Sequence, residues 1–382
     1  MDLLNHLHLS SGFKVSESGP VGVGLIGAGN ISDAYLSNLI KFPDVRVLFV
    51  ADLDLEKAAS QAKKYQILKH GSVADLLADP EIELVINLTV PAAHVKIGLQ
   101  AIAAGKHIWA EKPFAIDRTG GDQLSTAASS ANLKLSVAPD TFLGAGLQTA
   151  FRAIKTGEIG KPLSALALFQ VEGPESWHPN PEFFYQHGGG PLLDMGPYYL
   201  TALAKIFGTA VKVTATSAKS RSERDFGAGP NRGGKFAVTI PTQFSALIEY
   251  AGGGSALIIL SFDSTINRAG FLEVTGETGV AVLPDPNNFN GETVIHKTDG
   301  VKITLPAIGL TYGRGTGALD LAQSIRLNRN EQVPGELAFH VFDLMLSIQE
   351  SAKNGQSVYL KSTFNTPAEL PIEWDPVVKT LF

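Results

Sequence analysis

Val21-Gly22-Val23-Gly24-Leu25-Ile26-Gly27-Ala28-Gly29-Asn30-Ile31-Ser32 is the stretch whose reading decides the fold. Val21–Ile26 is a continuous apolar run, as expected of a strand covered on both faces. Apolar residues then recur at helical spacing over Ile31–Ile40, which predicts a helix. Between the two, Gly27 and Gly29 permit a tight turn and a close approach of backbone to a pyrophosphate. The helix N-terminus, opened by Asn30 and Ile31, favours that group's charge. Ser32 stands where a third Gly or Ala usually sits. Asp52, 23 residues after Gly29, ends the next apolar run, Val45–Ala51. An acidic residue there can accept from a ribose 2′-hydroxyl, or it can cap the helical segment Leu55–Lys64. No Arg adjoins Asp52, and its own charge would repel a 2′-phosphate. NAD is therefore preferred to NADP.

Outward from this turn the same alternation continues. Leu84–Leu88, His107–Ala110 and Leu133–Val137 read as buried strands. His94–Ala104 and Thr119–Ala131 read as helices, and Ser72 with Asp75 resembles a capping box. Strands of this kind separated by helices make a parallel sheet with ligands beyond its carboxyl ends. The fold class is therefore an α/β Rossmann domain, assigned to residues 21–139, after an N-terminal extension over 1–20. Residues 140–382 read as an α+β domain with a large, mainly antiparallel sheet. Its strand-like runs include Leu163–Val171, Gln243–Tyr250, Ser255–Phe262 and Thr293–Lys297, joined in part by Gly-rich turns. Pro191–Phe207 and Glu336–Ala352 are its helices, and Arg221–Lys235 reads as an irregular excursion. Ser255–Phe262 is apolar on both alternations, which predicts burial of the outer face in a dimer or tetramer.

Composition excludes several classes. The 382 residues contain no Cys, which removes disulfides, thiolate nucleophiles and sulfur-ligated zinc. The net charge of −6 has no basic block, so no nucleic-acid partner is expected. No apolar run approaches the roughly 18 residues of a membrane span, and Met1–Pro20 does not read as a secretory signal. A cytoplasmic protein with no membrane partner is the expectation. His6 and His8 are only two ligands, so no metal is assigned.

Four further segments carry a family resemblance. Ala104-Gly105-Lys106-His107-Ile108-Trp109-Ala110-Glu111-Lys112-Pro113, Thr89-Val90-Pro91-Ala92-Ala93-His94, Gly157-Glu158-Ile159-Gly160-Lys161-Pro162 and Gly188-Gly189-Gly190-Pro191-Leu192-Leu193-Asp194-Met195-Gly196 occur in that family's order and spacing. The chain resembles the glucose–fructose oxidoreductase / inositol dehydrogenase (Gfo/Idh/MocA) family from about Val21 to about Tyr359. The resemblance implies hydride transfer between NAD(P) and a sugar, inositol or related polyol. It also implies cofactor contacts from Thr89, Pro91, His94, Glu111 and Lys112.

The residues themselves suggest how the chemistry runs. Lys112 ends a parallel strand, and its ammonium can stabilise developing alkoxide. Alcohol oxidation also needs a base. The family's second segment commonly reads Asp-x-Gly-x-x-His or Asp-x-Gly-x-His, but in Asp194-Met195-Gly196-Pro197-Tyr198-Tyr199 Tyr198 occupies the usual His position. A free Tyr has pKa about 10, so Tyr198 would need a neighbouring cation such as Lys112 to serve as a base. Asp194 would hold a substrate hydroxyl or orient the base. His178 and His187 are competing bases, since imidazole is a more natural base than phenol near neutral pH. Trp177, His178, Asp140 and Arg314 are candidate substrate contacts. Thr141 departs from the family pattern, which often has Arg there. Asp140 can equally cap a helix, and Arg314 can equally be a solvated loop residue. Two other outcomes fit the same motifs: a recycled cofactor with net elimination, epimerisation or glycoside cleavage, and a non-catalytic NAD-binding sensor or scaffold.

Overall fold

The computed structural model describes residues 19–382, so His6, His8 and nearly all of the expected extension lie outside the described residues. The first unit is a six-stranded parallel sheet in the order β3-β2-β1-β4-β5-β6. Its strands are β1 (Val21–Ile26), β2 (Val45–Ala51), β3 (Lys69–Gly71), β4 (Leu84–Asn87), β5 (His107–Ala110) and β6 (Leu135–Val137). The helices are α1 (Asn30–Leu39), α2 (Leu55–Lys64), α3 (Val73–Ala78), α4 (His94–Ala103) and α5 (Arg118–Ser130). Val21, Val23, Leu25, Val85 and Ile86 are fully buried, the pattern of a sheet covered on both sides. Ser72 and Asp75 form the expected capping box on α3. Asp54, rather than Asp52, caps α2 by accepting from Glu56 and Lys57 N–H.

The second unit holds a nine-stranded sheet. Its chain order begins with α6 (Ala145–Lys155), β7 (Pro162–Gln170), α7 (Gly190–Phe207) and β8 (Ala210–Ala218). There follow a hairpin of β9 (Glu223–Asp225) and β10 (Lys235–Ala237), then β11 (Gln243–Tyr250), β12 (Ser255–Ser261), β13 (Phe271–Gly276), β14 (Gly279–Leu283), β15 (Thr293–Lys297) and β16 (Lys302–Leu305). The chain closes with α8 (Thr316–Leu327), α9 (Gly335–Asn354) and β17 (Val358–Tyr359). The sheet runs β16-β15-β14-β13-β7-β12-β11-β8-β17. It is not the simple meander that local turns suggest. β7 enters the centre first and pairs parallel with β12, with Leu166 opposite Leu257, while its other edge is antiparallel to β13. The expected excursion over Arg221–Lys235 holds β9 and the connection to β10 of a short hairpin. α7 and α9 cover one face of the sheet.

α8 has no counterpart in the sequence reading. It packs across β1, β5 and β6 beside α1, on the nucleotide-binding unit, although it falls in the stretch 140–382 expected to form the second domain. Thr316–Ser324 are all buried. A Cβ on Gly317 would lie 2.1 Å from the Trp109 ring, so this close approach requires Gly. The C-terminus returns too. Asp44, fully buried, accepts from the N–H groups of Thr380 and Leu381, and Gly19 N–H donates to the Phe382 carbonyl. Among the described residues no helix is long and apolar enough to cross a membrane.

Candidate active site

The turn between β1 and α1 is built by two glycines with different duties. Gly27 has φ +105°, and a Cβ there would lie 2.7 Å from the Leu88 carbonyl oxygen. The fold itself demands Gly at this position. Gly29 has an ordinary φ of −81°, and a Cβ there would meet no protein atom within 4 Å. It opens instead onto a cleft of about 480 Å³. The empty space at Gly29 and the exposed start of α1 fit a pyrophosphate. Ser32 takes the third glycine's place while fully buried, donating to the Gly29 carbonyl and accepting from Gln61 Nε2. Asp52 stands at the end of β2, where Oδ2 accepts from Ala28 N–H at 2.7 Å and Oδ1 from Asp54 N–H at 2.9 Å. Its carboxylate is thus fixed beside the glycine turn.

Gly29, Asn30, Ile31, Thr89, Pro91, Glu111 and Lys112 line the cleft from the nucleotide-binding unit. His178, Asp194 and Tyr198 line it from the second unit. Lys112 Nζ donates to Asp194 Oδ1 at 2.6 Å and to the Asp194 carbonyl at 2.9 Å. Burial disfavours the charge on Lys112, but Asp194, Tyr198 and Glu111 outweigh it and hold the ammonium's pKa above its ordinary value. Lys112 is therefore a fixed cation, held across the junction of the two units. Glu111 is itself oriented: Oε1 accepts from Tyr35 Oη, which accepts from Trp109 Nε1. Tyr35 carried no recognisable signal, since it lies 76 residues from Glu111.

Tyr198 differs from expectation in its proton affinity. Two cations flank it: Lys112 Nζ is 5.5 Å from the ring centre, and Arg314 donates to Oη at 2.9 Å. Burial still prevails over both and raises the phenol's pKa. Tyr198 is protonated at neutral pH and is placed to give a proton more readily than to take one. His178 is no simpler as a base. Its Nδ1 accepts from Asn180 N–H at 3.1 Å, which assigns the neutral ring's proton to Nε2.

Several candidates lie elsewhere. Trp177, just after the short turn Pro174–Ser176, is 67% exposed and does not line the cleft. His187 is exposed as well. His94 is buried, with Nδ1 bonded to the Pro113 carbonyl and Nε2 to the Thr89 carbonyl. It braces the two loops and is not among the residues lining the cleft, and burial depresses its pKa. Asp140 is fully buried. Its Oδ2 accepts from Gly315 and Gly317 N–H, so it holds the start of α8, and it is not among the residues lining the cleft. Burial raises its pKa despite Arg314. Arg314 is not solvated: it is mostly buried behind Tyr198. The sequence reading missed Phe183 and Phe184, which line the cleft beside His178 with ring centres 4.0 Å apart. Their only signal was the aromatic richness of the loop.

Such a site, a dinucleotide turn facing a clamped Lys, Asp and Tyr, defines an NAD-binding oxidoreductase. Comparison with known proteins agrees. Residues 21–138 match the oxidoreductase family with NAD-binding Rossmann fold, and residues 147–282 match the Gfo/Idh/MocA C-terminal domain. The chain belongs to the Gfo/Idh/MocA family. It is 26% identical over 310 residues to the trans-1,2-dihydrobenzene-1,2-diol dehydrogenase of Sus scrofa, covering 79% of this chain and 86% of that protein. The Mus musculus enzyme of that name is 28% identical over 263 residues, covering 68% and 73%. A levoglucosan dehydrogenase in complex with NADH and L-sorbose shares the fold with TM-score 0.78 at 22% identity, covering 90% of this chain and 99% of that one. An NAD-binding oxidoreductase from Klebsiella pneumoniae gives TM-score 0.79 at 23% identity, covering 90% and 99%.

Proposed function

We propose that the protein is an NAD-dependent dehydrogenase acting on a CH–OH group of a sugar, inositol or related cyclic polyol. The carrying observation is the convergence of Lys112, Asp194 and Tyr198 on one cleft with the Gly29 turn. When bound, the nicotinamide supplies or accepts the hydride. Lys112 stabilises negative charge on the carbinol oxygen. The free Oδ2 of Asp194 accepts from a neighbouring substrate hydroxyl, and Tyr198 exchanges the carbinol proton. Phe183, Phe184 and His178 offer an aromatic wall to the C–H face of a ring. Asp52 favours NAD over NADP, since its carboxylate is fixed where a 2′-phosphate would be repelled.

A panel of sugars, inositols and cyclic vicinal diols, followed by absorbance of reduced nicotinamide, tests this reading. Turnover on at least one member is expected, with Lys112→Met lowering kcat about 10²–10³-fold. Full activity in Lys112→Met would overturn the assigned role. Product formed with no net absorbance change would point to a recycled cofactor.

The reading extends to self-association. Leu257, with 43% exposure, and Leu247, with 45%, face outward on adjacent strands of the large sheet, and Leu166 lies opposite Leu257 on β7. This open apolar row is proposed to pair with a second copy. Light scattering is expected to give a dimer or tetramer, and Leu257→Glu to shift it toward monomer. Operation in the cytoplasm belongs to the same reading and is tested by cell fractionation.

A further inference from the structure

Arg314 is set in the turn immediately before α8. Its Nη2 donates to Tyr198 Oη at 2.9 Å and to Asn287 Oδ1 at 3.2 Å. The guanidinium carbon lies 5.3 Å from the centre of the Tyr198 ring. Nη1 stands 3.6 Å from Asp140 Oδ1, and neither atom of that pair has a hydrogen-bond partner among the described residues. The turn is fastened by two side chains. Asp140 Oδ2 holds the N–H groups of Gly315 and Gly317 at 2.9 and 3.1 Å. Asn38, on α1, donates to the Arg314 carbonyl at 3.0 Å. The guanidinium is therefore delivered to Tyr198 by the nucleotide-binding unit, from the side away from the cleft.

This placement bears on where the phenolic proton points. A phenol O–H prefers the plane of its ring and has two directions available there. A donor approaching along one of them leaves the proton only the other. We propose that Arg314 is a positioning residue for proton transfer: by donating to Tyr198 Oη from behind, it turns the hydroxyl proton toward the cleft. The proposal rests on the dehydrogenase reading for its catalytic meaning, though not for its geometry. In the reductive direction the phenol O–H bond breaks as its proton goes to the alkoxide oxygen formed by hydride addition. The phenolate left behind faces the Arg314 and Lys112 cations. In the oxidative direction the same phenolate takes the carbinol proton back. Asp140 and Asn38 act one step further out, by holding the turn.

The test reads Tyr198 itself. The protein is labelled with 3-fluorotyrosine, which titrates below ordinary tyrosine, and the Tyr198 resonance is assigned by its loss in Tyr198→Phe. Its ionisation is then followed by fluorine NMR in the parent, in Arg314→Gln and in Arg314→Lys. The expected result is a Tyr198 midpoint raised by about one to three pH units in Arg314→Gln. A smaller rise is expected in Arg314→Lys, which keeps the charge but not the planar fork. The other tyrosines should hold their midpoints, and NADH affinity by fluorescence should stay within about twofold, since Arg314 does not line the cleft. An unchanged Tyr198 midpoint would overturn the proposal. So would an equal shift in every tyrosine, which would report general loosening. Failure of every alcohol in the substrate panel sinks the dehydrogenase reading alone, because the Tyr198 titration needs no substrate. Where a substrate is found, Arg314→Gln should lower kcat with KM little changed and move the alkaline limb of the rate profile upward. A loss confined to KM would contradict the positioning role.

Discussion

Tyr198 and the two glycines show how much one residue's surroundings decide. Because burial raises the Tyr198 pKa above its ordinary value, the phenolate is scarce near neutrality. Oxidation, which needs the phenolate, should speed up steadily from pH 7 toward pH 10, while reduction, which needs the phenol, should hold level or fall. Initial rates in both directions across that range check the sign, and an oxidation rate already flat at pH 7 would contradict it. Gly27→Ala and Gly29→Ala should separate folding from binding. The first pushes a Cβ against the Leu88 carbonyl at a positive φ, and it should lower the melting temperature. The second meets nothing in the protein, so stability should hold while NADH binding weakens about tenfold or more, roughly 1.4 kcal/mol. Equal loss of stability in both variants would refute the distinction. Lys112, Asp194 and Tyr198 were legible because each sits in a compact local motif. The states of Asp140 and Arg314 were not, because both depend on a partner about 175 residues away.

At the level of elements, the sequence showed most clearly what repeats locally. β1, α1 and the Ser72 cap of α3 each follow from a few consecutive residues. α8 escaped because Thr316–Ser324 are buried on all sides, and a helix enclosed all round shows no apolar stripe. The parallel pairing of β7 with β12 was hidden for a similar reason, since adjacent hairpin turns report only their own neighbours. The β9–β10 hairpin was read as irregular because its anchor is a single side chain. Arg224, with 3% side-chain exposure, bonds Glu175 and Asp263 at once and donates to the Glu172 and Phe262 carbonyls. Arg224→Met should leave both carboxylates under-compensated and cost about 3–5 kcal/mol, measured by urea unfolding. A loss below about 1 kcal/mol would mean the pairs act as surface ion pairs.

Taken whole, the molecule keeps three histidines neutral in its interior. Burial lowers the pKa values of His94, His107 and His340 below the ordinary 6.5. The unfolded chain takes up these protons as pH falls through about 6.5, before the folded chain can, so acid favours unfolding. The stability they contribute is present above that pH and is lost progressively below it. Melting temperature should drop between pH 7.5 and pH 5.5, and His94→Gln should flatten part of that slope. An unchanged melting temperature across the range would argue that these rings protonate freely in place. The return of α8 to β1, β5 and β6, and of Thr380 and Leu381 to Asp44, also has a meaning in time. A ribosome emits the parallel sheet first but the helix that seals it only after more than 170 further residues. The nascent nucleotide-binding half must wait for α8 before β1, β5 and β6 gain that cover.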